Sequence, residues 1–243
     1  MNPILARFQH EPSLVAAQSR AWFESCVTQV AAASGQLPEA VAGDAFWPDS
    51  DAPMARFRPY VVTEGVLTIP VRGALLNGFP YQFGTGYEYI WQAFRRGMAD
   101  ERVRGIALVI DSPGGMVAGN FDLVDRMVAL RGTKPVSAFA HESAYSAAYN
   151  IAAAADTITV SRTGGVGSIG VVTVHVDESQ ALLSEGIKVT FIHAGAHKVD
   201  GNSFEPLPDA VRARIQERID ALYDDFVSSV ARNRGLEEAA VRG

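Results

Sequence analysis

A chain of 243 residues, 48% hydrophobic and 20% charged, has the composition of an ordinary folded protein, and 22 glycines and 12 prolines are too few for a collagenous or low-complexity chain. Its 21 basic against 27 acidic residues give a net charge of −6, the wrong sign for gripping a duplex, so no nucleic-acid partner is expected. The lone Cys26 excludes an internal disulfide and fits a reducing compartment, and no stretch approaches the ~18 apolar residues of a membrane span.

The chain opens with MNPILARFQHEPSLVAAQSRAWF, where His10, Glu11 and Arg20 interrupt the apolar positions. It therefore reads as mature sequence rather than a secretion signal. Residues 1–58 are expected to form an arm or extension: mixed helical character over 12–35, then the polar stretch WPDSDAPMARFRP over 47–59. Residues 59–243 are expected to form the main domain, in which strand-like and helix-like segments alternate.

Residues 61–74 (VVTEGVLTIPVRGA) read as one or two strands interrupted by Gly65 and Pro70. Tyr87, Ile90, Trp91, Phe94 and Met98 recur at helical spacing. GIALVIDSPGG (105–115) is a continuous apolar run that breaks at a Pro-Gly-Gly turn, as a strand buried on both faces would. Helical 121–130, strand-like 135–140, an Ala-rich helix at 146–155 and a short strand at 157–160 follow. Residues 171–176 read as a strand entered through a glycine-rich turn, 178–184 as a helix and 189–193 as a strand. Val211, Ile215, Ile219, Leu222, Phe226 and Val230 then mark the stripe of a long amphipathic helix. Strands separated by helix-length segments predict an α/β fold of stacked βαβ units.

Four segments could carry chemistry. Asp111-Ser112-Pro113-Gly114-Gly115 closes a strand with two glycines that let backbone N–H groups point outward, as an oxyanion site requires; on its own it reads first as a strand-ending turn. In His141-Glu142-Ser143-Ala144-Tyr145-Ser146-Ala147-Ala148-Tyr149 a strand gives way to a small-residue helix. Ser146 at that junction would have its hydroxyl beside free N–H groups, although Ser143 or Ser146 could simply cap the helix. Thr163-Gly164-Gly165-Val166-Gly167-Ser168-Ile169-Gly170 has the glycines of a nucleotide loop, but VVTVHV follows instead of a helix, and no Lys-Ser/Thr closes it, so no cofactor is implied. Gly195-Ala196-His197-Lys198 holds a lysine that would be a surface residue but for its company, because burial and neighbours can turn a lysine into a general base. The five histidines and the solitary Cys26 are not read as a ligand set, so no metal is expected.

Together these motifs resemble the signal peptide peptidase A (protease IV) family and its relatives, the head-maturation proteases of tailed phages. The resemblance runs from about Val61 to Leu236 through DSPGG (111–115), SAYSAAY (143–149), GSIGV (167–171), GAHK (195–198) and the helix ending in RNRG (232–235). The separations, 52 residues from Ser146 to Lys198 and 22 from Ser146 to Ser168, are similar to those of single-domain members. The resemblance implies a ClpP/crotonase-like fold and a Ser-Lys dyad, with Ser146 as nucleophile, Lys198 as neutral general base and Ser168 holding the lysine amine. It further implies an oxyanion hole from N–H groups of Gly114 or Gly115 and of Ser146 or Ala147.

Two departures stand out. Ala147-Ala148 replaces the usual Gly-Gly after the serine, which implies a slightly narrower site. The family usually continues past the amphipathic helix into a further strand and helix, so an end at Gly243 reads as a truncated domain or processed fragment.

The expected activity is a serine endopeptidase working through an acyl-enzyme on protein or peptide substrates. It is expected to assemble as a homo-oligomer, for which apolar Trp22, Phe23, Val27 and Val30 on the arm are the thin sequence support. The phage branch is favoured over the membrane-anchored bacterial branch because residues 1–58 hold no apolar helix. That implies capsid, portal and scaffold proteins as partners, and the host cytoplasm, within the procapsid, as the location.

Rival readings are a soluble bacterial signal-peptide-peptidase-like enzyme, a crotonase-type acyl-CoA enzyme, a non-catalytic shell or scaffold protein, and a Ser-His-Asp hydrolase. The last would draw on His141, His193, His197 and Asp156, but no G-x-S-x-G elbow surrounds Ser146.

Overall fold

The computed structural model describes residues 13–15, 25, 59–78 and 84–242. The arm expected over residues 1–58, with Trp22, Phe23, Val27 and Val30, thus lies outside the described residues apart from Ser13–Val15 and Ser25.

Val61–Thr63 (β2) turns through Glu64-Gly65 into Val66–Arg72 (β3), the two pairing antiparallel. β3 then pairs in parallel with Gly105–Ser112 (β6), and β6 with Val136–Tyr145 (β8). Thr157–Val160 (β9) and Gly165–Gly167 (β10) share the far edge of β8 in tandem, β9 along residues 137–140 and β10 along 143–145. Helices Tyr87–Ala99 (α1), Asn120–Ala129 (α2) and Ala147–Ala153 (α3) lie between successive parallel strands. The α/β architecture of βαβ units read from the alternating segments is therefore what the chain builds.

A smaller sheet runs β1–β7–β4–β5, from Ser13–Val15 (β1), Gly114–Met116 (β7), Ala74–Leu76 (β4) and Gly84–Gly86 (β5). Past α3 come Ser179–Ser184 (α4), the long Asp209–Arg234 (α5) and Glu238–Arg242 (α6). Helix α5 stops at Gly235, which takes φ 64° as a left-handed cap.

The core lies between the large sheet and α1, α2, α3 and the carboxy-terminal half of α5. Leu67, Ile69, Leu108, Ile110, Phe94, Ile151 and Phe226 are all buried in it. Pro70 does not interrupt β3 as the sequence suggested. Strand β2 pairs only as far as Thr68, so the missing N–H of Pro70 falls where that edge has no β2 partner. Strand β6 is buried on one face through Ile106, Leu108, Ile110 and Ser112 and half-buried on the other, rather than covered on both.

The strands expected at 171–176 and 189–193 do not form; both stretches are irregular, and Val172, Val174, Val176, Val189 and Ile192 are exposed. A strand is held by a neighbouring ladder, and neither stretch has one among the described residues.

Candidate active site

Strand β8 runs five residues beyond the expected end at Ala140. Strand β10 supplies the reason, pairing Gly165 with Ser143, Val166 with Ala144 and Gly167 with Tyr145. A side chain at 165 would meet the Tyr145 hydroxyl and ring edge, so Gly165 leaves that ring room beside the ladder. Ser146 is the next residue after the strand and the one before α3.

Its backbone sits at φ 56°, ψ −119°, outside the regions that residues with a side chain ordinarily occupy. Such a conformation costs on the order of 1–3 kcal/mol and persists only where the surroundings enforce it. Here the Ser146 N–H donates to Gly167 O (2.7 Å) and its carbonyl accepts the Asn150 N–H (3.0 Å). Ser146 occupies the cap position of α3, yet its side chain makes no cap bond, so helix capping is not what the hydroxyl does. The residue is fully buried and Oγ has no hydrogen-bond partner. A buried hydroxyl left unpaired is costly.

Ser168 follows β10 as Ser146 follows β8, on adjoining strands, and it too has a positive φ, 55°. Among the described residues only Glu64 shares that property without being glycine. The structure therefore brings Ser146 and Ser168 to the same end of the sheet.

The DSPGG turn arrives beside them. Ser112 stands opposite Ala144, so Gly114 and Ser146 each lie two residues past the same rung. Ser112 is buried, its Oγ donating to Gly73 O (2.7 Å) and accepting the Gly114 N–H (3.1 Å). Gly115 is pressed against the Leu75 backbone, leaving no room for a side chain. Helix α3, with Ala147 as its first residue, packs against β7. The N–H of Ala147 has no partner four residues back within the helix, a general property of first-turn donors.

A buried polar chain that the sequence reading missed ties these pieces together. Tyr87 donates its hydroxyl to Met116 O in β7 (2.6 Å). Asn120 donates through Nδ2 to Ala147 O (3.1 Å) and to Tyr87 OH (3.4 Å). Asn150 donates to Asn120 Oδ1 (2.8 Å), and Ser229 of α5 donates to Asn150 Oδ1 (2.8 Å). Burial holds the Tyr87 phenol well above its usual range, against a smaller opposite effect from Asn120, so it stays a donor. The available signal was Asn150 itself, an amide inside the apolar run AAYNIAAAA.

Lys198 is not brought to this cluster. It is exposed on a turn, its N–H donating to Gly195 O (3.3 Å), and Ser146 Oγ has no partner among the described residues. The Ser-His-Asp alternative is not assembled either. His141 is exposed, His193 Nδ1 lies against Gly195 O (3.2 Å), His197 against Asp200 (2.9 Å), and Asp156 accepts the Val136 N–H (2.8 Å). Among the described residues no cluster of three or more His, Cys, Asp or Glu could hold a metal ion, and no helix is long and apolar enough to cross a membrane.

The chain is 40% identical over 255 residues to head-tail preconnector protein GP5 of Enterobacteria phage P21, an alignment spanning 100% of this chain and 51% of that protein. It is 36% identical over 249 residues to capsid assembly protease C of Escherichia phage lambda, spanning 96% of this chain and 56% of the relative. The chain thus spans about half the length of these curated relatives. An enoyl-CoA hydratase from Mycobacterium avium subsp. paratuberculosis K-10 superposes over 76% of this chain and 87% of its own at 16% identity; its TM-score of 0.39 is too low to argue from. Residues 129–242, from the end of α2 through α6, match the model of Peptidase family S49.

Proposed function

We propose that this chain is a serine endopeptidase in which Ser146 attacks the scissile carbonyl and Lys198 accepts the hydroxyl proton. The same amine then donates that proton to the leaving nitrogen, and water releases the acyl group from Ser146. Ser168 orients the lysine amine. The Gly114 N–H is taken by Ser112, so we assign the oxyanion to the N–H groups of Gly115 and Ala147. The observation that carries the reading is Ser146: a buried, unpartnered hydroxyl on a strained backbone between a strand and a helix.

Lys198 enters this reading from the family resemblance and must move onto Ser146 to act. We assign that closure to assembly of the chain as a homo-oligomer. Its supporting observation is the apolar surface left bare on the same segment: Val172, Val174, Val176, Leu183 and Ile192, the last 99% exposed. The similarity to a capsid assembly protease and a head-tail preconnector protein favours capsid and scaffold proteins as substrates, with the host cell or procapsid as the place of action.

Ser146→Ala and Lys198→Ala are each expected to lower peptide turnover by at least about 10³-fold with an unchanged fold. Full activity in Ser146→Ala removes the nucleophile assignment, and survival of Lys198→Met favours a histidine base instead. An amine base also requires a rate that climbs with pH, which a flat profile from mildly acidic to alkaline buffer contradicts. Incubation with purified capsid and scaffold proteins tests the substrate. If they stay intact while free signal peptides are cut, the bacterial role replaces the phage one.

A further inference from the structure

Strand β7 has β4 on one side, in parallel, and β1 on the other, antiparallel: Ser13 pairs with Met116, Leu14 with Gly115 and Val15 with Gly114. Residues from near the amino terminus thus lie along the two glycines that border Ser146. The register makes the placement close. Val15 is opposite Gly114, and Gly114 stands at the same distance past the Ser112–Ala144 rung as Ser146 does.

A chain segment that adds to a sheet edge takes its affinity from main-chain hydrogen bonds, which are largely independent of sequence. With β4 already on its other side, an extended peptide that adds to β7 beside Gly114 and Gly115 has only the edge that β1 occupies. One edge holds one strand, so β1 and such a peptide exclude each other. Ser146 is at the same time completely shielded, although a nucleophile must meet its substrate.

We propose that Ser13–Val15 is an internal occupant of the peptide position beside Ser146, so that the amino-terminal segment restrains this protein's own activity until it is displaced. The inference rests on the endopeptidase reading above. The segment competes with substrate without being cut, and its displacement by an extended peptide running antiparallel to β7 opens the site. The effect is on binding rather than on the chemical step, because only the fraction of molecules with a vacated edge accepts a peptide.

Proline has no N–H to give a ladder, so Leu14→Pro in the full chain weakens β1, while Leu14→Ala leaves the backbone donor in place. Leu14→Pro is expected to lower KM for a short fluorogenic peptide by about threefold or more at a nearly constant kcat, and Leu14→Ala to change neither, as a shift in the competent fraction predicts. An unchanged or raised KM in Leu14→Pro overturns the proposal. A second measurement does not depend on that variant folding. In the unmodified chain at least one amide among Ser13–Val15 should exchange more slowly than in a free peptide of the same sequence, and exchange of all three at peptide rates overturns the proposal. Ser146→Ala separates the two readings. If it abolishes turnover while Leu14→Pro does nothing, the strand proposal alone fails; if it turns over peptide as the parent does, the endopeptidase reading fails and takes the strand proposal with it.

Discussion

Strands β3, β6 and β8 and the stretch from residue 171 to 193 are both rich in valine and isoleucine, yet they end in opposite states. In the first group every strand has a parallel neighbour, and residues such as Leu67, Leu108 and Ala138 are fully buried. In the second, Val172, Val174 and Val176 alternate with half-buried Val171, Thr173 and His175, a period-two pattern with no extended ladder beside it. The alternation is the signature of a half-buried strand, so what differs is the partner and not the propensity. Ser146 directly follows β8 of the first region, whereas Lys198 lies on the turn just past the second.

Three substitutions probe that contrast. The largest effect is expected at Phe226, which is fully buried, packs its ring 6.4 Å from that of Phe121 and seats α5 on the body. Phe226→Ala should cost about 3–5 kcal/mol in a urea unfolding series, and a loss below ~1 kcal/mol would mean that α5 is not part of the cooperative core.

Next comes Asn150→Ala, which strips partners from Asn120 Oδ1 and the Ser229 hydroxyl. Each buried group left unpaired costs, so about 2 kcal/mol of stability should go, together with part of kcat as Asn120, which holds Ala147 O, loses the bond that fixes its own amide. If stability drops while kcat holds, the buried chain supports the fold alone. The smallest effect is expected at Ile192, where Ile192→Ser should shift stability by no more than about 0.5 kcal/mol because nothing is packed on it. The same change should weaken self-association in sedimentation, and a large stability loss with unaltered sedimentation would place Ile192 inside a monomer's core.

The sequence was legible where pattern and context agree. The stripe from Val211 to Val230 became α5, and the Ala-rich run after Ser146 became α3, since apolar spacing of about 3.6 has few other solutions. Ser146 was marked as a strand–helix junction and is one, whereas Asp111–Gly115, read as a strand-ending turn, is strand up to Ser112 and again from Gly114, broken only at Pro113. What could not be read was tertiary. That β8 continues to Tyr145 depends on β10, a partner more than 20 residues away whose glycines look like a loop. That Pro70 sits inside a strand depends on where β2 stops. The buried chain from Tyr87 to Ser229 joins four helices, and no local spacing announces it.

The backbone angles at position 146 carry a consequence for how this chain would change over generations. Glycine populates positive φ without strain, so the fold alone would be better served by glycine at this point, by on the order of 1 kcal/mol. On the proposed role of Ser146, chemistry and folding pull this one codon in opposite directions. On that same role, copies released from the need to cut a substrate would drift away from serine there while retaining β8, β10 and α3 intact.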